Sequence, residues 1–500
     1  CRVVQTYSYA KRLQPYDESI DTTQQLAVTR QSANRYEPTP GYFDEAFDAA
    51  GNPRPLYATL IGALEPVELT ALAGATQEFI DNEGVVFTTQ HGTQPFVVDP
   101  VPRIIESAEW AMVAAAVAQR VDALNRFVVD IYGERKIIDA GVVPWNAIET
   151  AEYYERDLVG TVPPAGIFTN VAGLDLARGE DGVLRVLEDN VRSPSGLTYS
   201  FAARKMSEAV LPLAADRDKL PLDGIFDDIS AALHAAAPVD NGEPAIALVS
   251  DGPGSAAWYE HQAIAKALDI YLFTIDQLEN HSGSLYGRDH DGLLKPIDVM
   301  YRRTELDRLR SPSGACTHFG ELLLDPIRNG TLASVNAFGS GIADDKLIHA
   351  YVEEMIRFYL NEVPLIESVR TYDPGDPGTL AMIDDRIGEL VIKPRGGLGG
   401  DDITIGPRAD RAALDAASAA LKQQPEAWVA QEVVSLSTHP TVVDGTLEPR
   451  HLDLRPYAIH TGDETRTLNA CLSRVALTRG ALIVNSSQNG GAKDTWIATQ

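Results

Sequence analysis

The sequence has few cysteines, a shortage of positive charge and no long apolar run. Its three cysteines, Cys1, Cys316 and Cys471, are far apart, so they predict neither a disulfide framework nor a CxxC zinc site and favour a reducing compartment. Lys and Arg total 42 against 71 Asp and Glu, and the net charge of −29 argues against nonspecific binding to nucleic acid or to an anionic membrane. The apolar runs fall well short of the ~20 residues that span a bilayer, and no basic-then-apolar signal segment opens the sequence. These absences predict a cytoplasmic protein in which any phosphate site has to be made locally.

The chain is long enough for several hydrophobic cores, and its patterns change along its length. Its 500 residues correspond to roughly three domains of ~150 residues each. The first forty or so residues are polar and aperiodic, which indicates an extended or poorly ordered arm. The clearest helix is predicted from about Ser107 to Tyr132, because apolar residues recur on one stripe and Gly133 follows as a stop. We interpret this helix as scaffold.

A predicted hairpin carries acidic and amide side chains. The period becomes strand-like from Gly166, and a glycine-containing turn at 178–182 separates two strands. Asp175 lies near the end of the first strand, whereas Glu188 and Asn190 share one face of the second because side chains alternate along a strand. Carboxylate and amide oxygens suit Mg²⁺. An acidic strand end that runs into a turn explains the same residues, and the nearby Arg192 is also explained by a surface ion pair.

A glycine cluster follows a short apolar run at 389–402, where the sequence is Glu-Leu-Val-Ile-Lys-Pro-Arg-Gly-Gly-Leu-Gly-Gly-Asp-Asp. The glycines free the backbone to turn its N–H groups toward an anion, and Lys393 supplies a point charge. Because the lysine precedes the glycines, the pattern differs from a Walker P-loop and predicts a hairpin lid. Taken alone, an ordinary surface turn explains it too.

Other segments alternate between strands and helices. Residues 245–250, a glycine turn, the stretch 258–268 and two further strands at 271–275 and 298–303 predict an α/β unit, with a polar loop at 281–292. Lys346 follows Asp344 and Asp345 at the start of a predicted helix whose apolar stripe runs from Leu347 to Phe358, and both aspartates have a capping explanation. Further strands are predicted at 428–434, 451–459, 472–477 and 481–485.

Five motifs together resemble the circularly permuted ATP-grasp family, relatives of the synthetase half of glutathionylspermidine synthetase. The motifs are Val-Leu-Glu-Asp-Asn-Val-Arg-Ser-Pro-Ser-Gly-Leu-Thr-Tyr at 186–199, Gly-Ile-Ala-Asp-Asp-Lys at 341–346, Val-Ile-Lys-Pro-Arg-Gly-Gly-Leu-Gly-Gly at 391–400, His-Leu-Asp-Leu-Arg-Pro at 451–456 and Asn-Ser-Ser-Gln-Asn-Gly-Gly-Ala-Lys-Asp-Thr-Trp at 485–496. The resemblance covers most of residues 42–497. It implies an α/β fold of the α+β type, a circularly permuted ATP-grasp fold with mixed sheets flanked by helices and a helical N-terminal region. In the ordinary ATP-grasp order the lid precedes the metal ligands, so a lid that follows Glu188 is the mark of permutation.

The resemblance also implies a division of the chain. The expected segments are an extended arm at 1–41, a mostly helical N-terminal region at 42–157, the first part of the ATP-grasp core with the metal ligands at 158–240, a pre-ATP-grasp α/β subdomain at 241–330, the lid with its glycine-rich hairpin at 331–435, and strands that return to the core at 436–500.

The activity implied is that of a carboxylate–amine ligase. ATP phosphorylates a carboxylate, and an amine attacks the acyl phosphate to give an amide, ADP and phosphate. Matched motif by motif, the resemblance implies ATP lysines at Lys346 and Lys393, a phosphate-covering loop with Gly396, Gly397, Gly399 and Gly400, an adenine and ribose hinge at Gln431 and Glu432, and Mg²⁺ ligands at Asp175, Glu188 and Asn190. Because a guanidinium pairs with carboxylates and phosphates in a bidentate fork, Arg192 and Arg455 are expected nearest the transferred phosphate. Arg302, Arg303 and Ser195 are expected on the substrate side, with structural ion pairs as the alternative for the arginines.

Two departures from the family pattern leave the substrates open. Thr304-Glu-Leu-Asp-Arg-Leu replaces a run of aspartates after Tyr301-Arg-Arg, and Ile275-Asp-Gln-Leu-Glu-Asn replaces an acidic-glycine signature. The expected partners are a small-molecule or peptide carboxylate and an amine co-substrate. The alternative interpretation is a non-catalytic or regulatory nucleotide-binding partner in a multi-protein assembly.

Overall fold

The fold is mixed α/β, with helices packed around several separate sheets. The computed structural model describes residues 36–89, 92–211, 213, 218–238, 242–305, 308–397, 402–482, 484 and 490–499. Within these residues the strands are β1 (Val86–Thr89), β2 (Gly92–Pro95), β3 (Val98–Ile105), β4 (Val171–Arg178), β5 (Leu184–Asn190), β6 (Ile246–Ser250), β7 (Tyr271–Thr274), β8 (Leu278–His281), β9 (Ser284–Arg288), β10 (Leu294–Ile297), β11 (Val299–Arg303), β12 (Ala333–Val335), β13 (Thr371–Tyr372), β14 (Leu390–Pro394), β15 (Thr404–Ile405), β16 (Trp428–Glu432), β17 (Thr438–Val443), β18 (Thr446–His451), β19 (Arg455–His460), β20 (Thr465–Ala476) and β21 (Gly490–Ile497). The α-helices are α1 (Ala58–Leu64), α2 (Leu69–Glu83), α3 (Ser107–Tyr132), α4 (Lys136–Asp139), α5 (Trp145–Glu149), α6 (Leu197–Val210), α7 (Ile225–Ala235), α8 (Trp258–Leu268), α9 (His318–Arg328), α10 (Val352–Met355), α11 (Pro377–Asp385) and α12 (Arg411–Gln423). The predicted fold class is therefore confirmed.

The largest sheet has six strands in the order β3-β21-β20-β19-β4-β5. Its neighbours are antiparallel except for the parallel pair β21 and β3. Cys471 of β20 joins the apolar cluster that contains α3, whereas Ala470 and Leu472 join the cluster that contains α6. Successive side chains of a strand point to opposite faces, so α3 and α6 cover the two sides of this sheet.

The α/β subdomain is built on a parallel sheet in the order β12-β11-β6-β7. The register pairs Arg303 with Ser250 and Arg302 with Val249. The carboxyl ends of β6 and β11 therefore meet at one edge, and this edge faces the loop at 191–196 through the contacts described below. Loops at such an edge are the usual ligand-binding region of an α/β sheet.

The glycine-rich segment belongs to a separate four-stranded sheet, β13-β16-β14-β15. Strand β14 pairs antiparallel with both β15 and β16. Helices α11 and α12 cover the sheet through a small cluster that includes Leu390, Ile392 and Leu421. The two strands β14 and β15 form the predicted hairpin.

The N-terminal helices pack against strands from the other end of the chain. Tyr57 and Leu60 share an apolar cluster with Trp496 of β21, and the Glu45 carboxylate receives Arg103 Nε at 2.7 Å. Within the described residues, no single helix is long and apolar enough to cross a membrane. The helices at Pro55–Leu64 and Leu69–Asn82, bent by 95° at their junction, reach that length and composition only as a pair.

Several sequence predictions differ from the structure in detail. The helix at Ser107–Tyr132 is confirmed. The helix predicted after Lys346 is confirmed only in part, because residues 348–360 are helical throughout but form a 3₁₀ turn at Ile348–Tyr351, α10 and a π turn at Ile356–Leu360 in succession. The changing period turns Phe358 outward, where 39% of it is exposed. Ala481 and Leu482 lie outside any strand, and the last strand is β21. The polar loop at 281–292 contains strand β9.

Candidate active site

Asp175, Glu188 and Asn190 lie on one face of the β4–β5 hairpin. The register places Asp175 directly opposite Glu188, and directly opposed residues project to the same side of a sheet. Asp189 points the other way, where Arg120 Nε and Nη2 donate to its carboxylate at 2.5 and 2.8 Å. Alternation along β5 thus separates a structural carboxylate from the two oxygen donors on the candidate site.

The Asp175 carboxylate is held by two arginines from distant strands. Arg455 Nε and Nη2 donate to it at 2.6 and 2.8 Å, and Arg474 Nη2 lies 2.8 Å from Oδ2. Arg474 also pairs with the buried Asp453. Burial opposes ionisation of Asp175, but Arg455 and Arg474 together hold its pKa well below its usual range. Asp175 is therefore ionised, and its carboxylate is already paired with both arginines.

Glu188 meets two lysines that come from separate parts of the chain. Lys393 Nζ, on a residue that is only 4% exposed, donates to Glu188 Oε1 at 3.1 Å. Burial opposes ionisation of Glu188, yet Lys393 and Lys346 lower its pKa overall. Burial in turn lowers the pKa of Lys393, because a buried ammonium group loses its hydration, and Glu188 compensates only in part. The structure thus brings together both predicted lysines and the firmest of the predicted metal ligands.

The lid is fastened to the segment that carries Lys346. Arg395 Nε and Nη2 donate to the two carboxylate oxygens of Asp345, each at 2.9 Å, and Lys346 Nζ donates to Gly397 O at 3.0 Å. Gly397 has a φ of +116°, which favours glycine. A Cβ at Gly396 would lie 2.2 Å from Glu152 Oε2, so the backbone passes close to that side chain. The predicted loop residues Gly399 and Gly400 lie outside the described residues.

Arg192 and Arg302 each lie over an aromatic ring. The guanidinium carbon of Arg192 is 4.2 Å from the ring centroid of Tyr153, and that of Arg302 is 4.6 Å from the ring centroid of Phe338. Asp344 Oδ2 accepts the backbone N–H of Arg192 at 2.8 Å, which orients the segment. Burial, together with the charge of Arg192, lowers the pKa of Arg302 to about 9. The two guanidinium groups therefore repel one another, and an anion placed between them would relieve this repulsion.

Arg303 and Ser195 take part in a buried loop anchor. Arg303 Nη1 donates to Pro194 O at 2.5 Å, and its Nη2 donates to Glu260 Oε1 at 3.0 Å. The carbonyl of Ser195 accepts Arg455 Nη1 at 3.1 Å, and the rest of the residue is half-buried. All three arginines are buried. Besides stacking on rings, Arg192 Nη1 donates to Glu305 O at 3.1 Å and Arg302 Nε donates to Asn336 O at 3.3 Å.

Gln431 and Glu432 end strand β16 with their side chains engaged. Gln431 Nε2 donates to Thr371 Oγ1 at 2.9 Å. Arg386 Nη1 and Nη2 donate to the Glu432 carboxylate at 2.9 and 3.0 Å. The Glu432 N–H also donates to Arg370 O at 2.9 Å, so the main chain of this strand end is partly engaged as well.

Residues 102–476 match the family described as circularly permuted ATP-grasp type 2. The chain belongs to this family. The resemblance seen in the motifs is confirmed. Permutation explains why Lys393 of the lid comes after Glu188 in the sequence, and the two side chains are in contact in the fold. Family membership supports an ATP-dependent ligase in general.

Relatives of this ATP-grasp chain occur in several bacteria. An uncharacterized protein of Mycobacterium tuberculosis is 38% identical over 462 residues, which cover 91% of this chain and 84% of that protein. A protein of Frankia casuarinae, provisionally named glutamate–cysteine ligase 2-2, is 41% identical over 472 residues, 93% of this chain but 54% of that protein. Among solved structures, a glutathione synthetase-like effector from Globodera pallida in apoform is similar, with a TM-score of 0.57, 12% identity and coverage of 86% of this chain and 98% of that chain. At that identity the likeness concerns the fold.

The candidate site contains oxygen ligands that fit Mg²⁺. Glu188 is ionised and 30% of its side chain is exposed, and Asn190 lies two positions away on the same strand face. Among the described residues, no hydrogen-bond partner faces the buried Asn190 Nδ2. Mg²⁺ prefers oxygen ligands and completes its shell with water and phosphate oxygens. Across the described part of the chain no three His, Cys, Asp or Glu side chains form a metal-binding group.

Three residues have positioning contacts that the sequence did not predict. Asp344 holds the backbone of Arg192, Asp345 holds Arg395 of the lid, and Arg395 also donates to Ala147 O at 2.7 Å. The capping explanation for Asp344 is wrong, since its carboxylate accepts from a distant strand end, whereas Asp345 Oδ1 does accept Leu347 N at 2.8 Å. A usable signal was present, because Asp345 and Arg395 lie beside Lys346 and Lys393 in the sequence and carry opposite charges.

Proposed function

We propose that this chain is an ATP-dependent carboxylate–amine ligase that forms an amide through an acyl phosphate and releases ADP and phosphate. The observation that carries the proposal is the contact of Glu188 with Lys393 beneath the lid, with Lys346 and Asn190 beside it. The buried Lys393 and the partly exposed Lys346, next to a carboxylate and an amide oxygen, match the charge pattern of a metal-bound triphosphate. Phosphoryl transfer depends mainly on such alignment and charge neutralisation.

The lysines and the lid would hold the triphosphate. Lys393 lies at the base of the hairpin and Lys346 contacts its tip through Gly397 O. When a triphosphate enters, Lys393 exchanges Glu188 for a phosphate oxygen, which frees the carboxylate for the metal. Gly396 and Gly397, with Gly399 and Gly400, would close over the phosphates, and Gln431 and Glu432 would contact the adenine and ribose.

Asp175, Glu188 and Asn190 are the proposed Mg²⁺ ligands. Bound Mg²⁺ would neutralise charge that develops on the phosphate oxygens. Glu188 and Asn190 would supply oxygens directly, because neither is fully engaged elsewhere. Asp175 contributes negative charge from its place opposite Glu188, and direct ligation would require it to loosen one of its arginine contacts.

The arginines divide between phosphate and substrate. Arg455, tied to Asp175, and Arg192, stacked on Tyr153, are proposed to stabilise the transferred phosphoryl group. Arg302 is proposed to bind the substrate carboxylate, because its pKa is lowered partly by Arg192 and an anion shared by the two would reduce that repulsion. Arg303 would act indirectly, because it holds the loop that contains Ser195.

The first substrates to test are small amino acids and short peptides. The Frankia relative has a glutamate–cysteine ligase name, but this chain matches only 54% of that protein, so the name favours glutamate among the carboxylates without deciding the reaction. The amine co-substrate would attack the acyl phosphate, and the departures at Thr304-Glu305 lie in the α/β subdomain where it would enter.

The test is Mg-ATP-dependent ADP release with pooled carboxylates and pooled amines, followed by mass spectrometry of the products. The proposal predicts ADP release that requires both pools and an amide product that loses one water relative to its precursors. The Lys393→Met variant serves as the inactive control. Binding of Mg-ATP without turnover on any pool would instead favour a non-catalytic nucleotide-binding partner.

A further inference from the structure

The loop at 191–196 is held from two sides by buried side chains. This loop connects Asn190 to helix α6 and carries Arg192 and Ser195. On the side of the large sheet, Arg455 Nη1 and Tyr457 Oη donate to Ser195 O at 3.1 and 3.0 Å. On the side of the α/β subdomain, the loop is held by Glu260 of α8 and by Arg303 at the end of β11.

The Glu260 carboxylate fills the N terminus of helix α6. Its Oε2 accepts the N–H of Gly196 at 2.9 Å and that of Thr198 at 3.0 Å. The first N–H groups of a helix have no partner within the helix and carry partial positive charge, so a carboxylate is a favourable partner there. Only 1% of Glu260 is exposed. The helix terminus is therefore closed to a free phosphate and tied to a neighbouring subdomain.

Arg303 completes this anchor by linking the same carboxylate to the preceding residue of the loop. Its Nη2 donates to Glu260 Oε1 at 3.0 Å and its Nη1 donates to Pro194 O at 2.5 Å. A Cβ at Gly196 would lie 2.4 Å from Tyr457 Oη, and Gly196 has a φ of +113°. The loop therefore has little room to move while the anchor is intact.

We propose that Glu260, together with Arg303, is a positioning residue for the ligase reaction. It fixes the loop so that Arg192 stays stacked on Tyr153 beside the transferred phosphoryl group; this inference rests on the proposed function. Removal of the carboxylate leaves two helix N–H groups and one guanidinium group buried without their acceptor, which favours a rearranged loop. The ATP lysines are on other elements, so Mg-ATP binding stays largely unchanged while the chemical step slows.

The first test measures the loop itself, without any substrate. Hydrogen exchange of the Gly196 and Thr198 amides is compared in the wild-type chain, Glu260→Gln, Glu260→Ala and the exposed control Glu354→Ala. Loss of a charged acceptor predicts about 10- to 100-fold faster exchange at these two amides in Glu260→Ala, a smaller effect in the isosteric Glu260→Gln, and none in the control. Added acetate should partly restore protection in Glu260→Ala only. Unchanged exchange in both Glu260 variants would overturn the anchor.

The second test separates positioning from binding. With substrates found by the ADP-release assay, Glu260→Gln and Glu260→Ala are expected to lower kcat about 10- to 100-fold, while the KM for Mg-ATP stays within about twofold of the wild-type value. Circular dichroism shows whether Glu260→Ala folds, and Glu260→Gln retains the shape if it does not. Faster exchange of the Gly196 and Thr198 amides with an unchanged kcat would overturn the positioning role. A wild-type chain without turnover would overturn the proposed function, whereas the exchange result would still decide whether Glu260 holds the loop.

Discussion

Replacement of Glu188 by Gln tests metal binding separately from nucleotide binding in the proposed site. The substitution keeps the shape of the side chain, so it creates no cavity, but it removes the negative charge 3.1 Å from Lys393 Nζ. The buried Lys393 then faces Lys346 without its nearest carboxylate. Breaking a buried pair costs about 3–5 kcal/mol and an exposed pair about 0–1 kcal/mol. Because 30% of the Glu188 side chain is exposed, we expect a loss of about 1–3 kcal/mol in the free energy of unfolding without nucleotide.

Nucleotide binding should change in opposite ways with and without magnesium. In the wild-type chain, Glu188 repels a metal-free triphosphate and attracts Mg²⁺. In Glu188→Gln both effects are lost, so metal-free ATP should bind as tightly as in the wild type or up to about tenfold more tightly, whereas Mg²⁺ should add little affinity. Turnover that depends on Mg²⁺ should disappear.

Isothermal calorimetry with ATP in Mg²⁺ and in EDTA, at one ionic strength, measures both affinities. Glu152→Gln is the matched control, because Glu152 lies at the edge of the lid and contacts Arg308 at 3.4 Å rather than Lys393. The control should keep the full magnesium effect. If Mg²⁺ strengthens ATP binding in Glu188→Gln as much as in the wild type, Glu188 is not a metal ligand.

Three further changes test the surrounding groups. Lys393→Met should weaken Mg-ATP binding at least about tenfold through loss of a buried phosphate partner, whereas Lys422→Met, at an exposed ion pair, should not; equal calorimetric affinities for the two would contradict the lid assignment. Arg395→Met should lower the free energy of unfolding by about 3–5 kcal/mol in denaturant titrations, because it leaves Asp345 buried without its partner. A loss below about 1 kcal/mol would show that the Arg395–Asp345 ion pair is dispensable for stability. Burial raises the pKa of Glu155 from its usual 4.5 to about 7, so its contribution to stability is present below pH 4.5 and is lost as the pH rises through 7. Glu155→Gln should therefore flatten this pH dependence by about 3 kcal/mol, and parallel pH profiles for the two proteins would refute the shift.

The local sequence determined the elements and the family. Helix α3 was predictable from Ser107 to Tyr132 because its stripe is long and a glycine ends it. The hairpin that holds Glu188 and Asn190 was predictable from its alternating pattern and its turn. The segment after Lys346 was not, since its apolar spacing suits an α-helix, while packing against α3 and the lid selects 3₁₀ and π turns in succession.

The tertiary structure decided which partner each charged side chain has. Sequence alone grouped Asp175 with Glu188 and Asn190, and the hairpin register supports that grouping. Only the order of strands in the large sheet, however, brings Arg455 and Arg474 onto Asp175 from the other end of the chain. Likewise, the local sequence does not distinguish Arg303 from the neighbouring Arg302.

Neighbouring arginines on a strand face opposite sides, and what lies on each side depends on distant segments. Arg302 meets Phe338, whereas Arg303 meets Glu260 and the loop before α6. Local spacing determines how side chains alternate, because it depends only on backbone geometry. Which charges become buried together depends on how sheets from remote parts of the chain pack, and short-range patterns do not encode this.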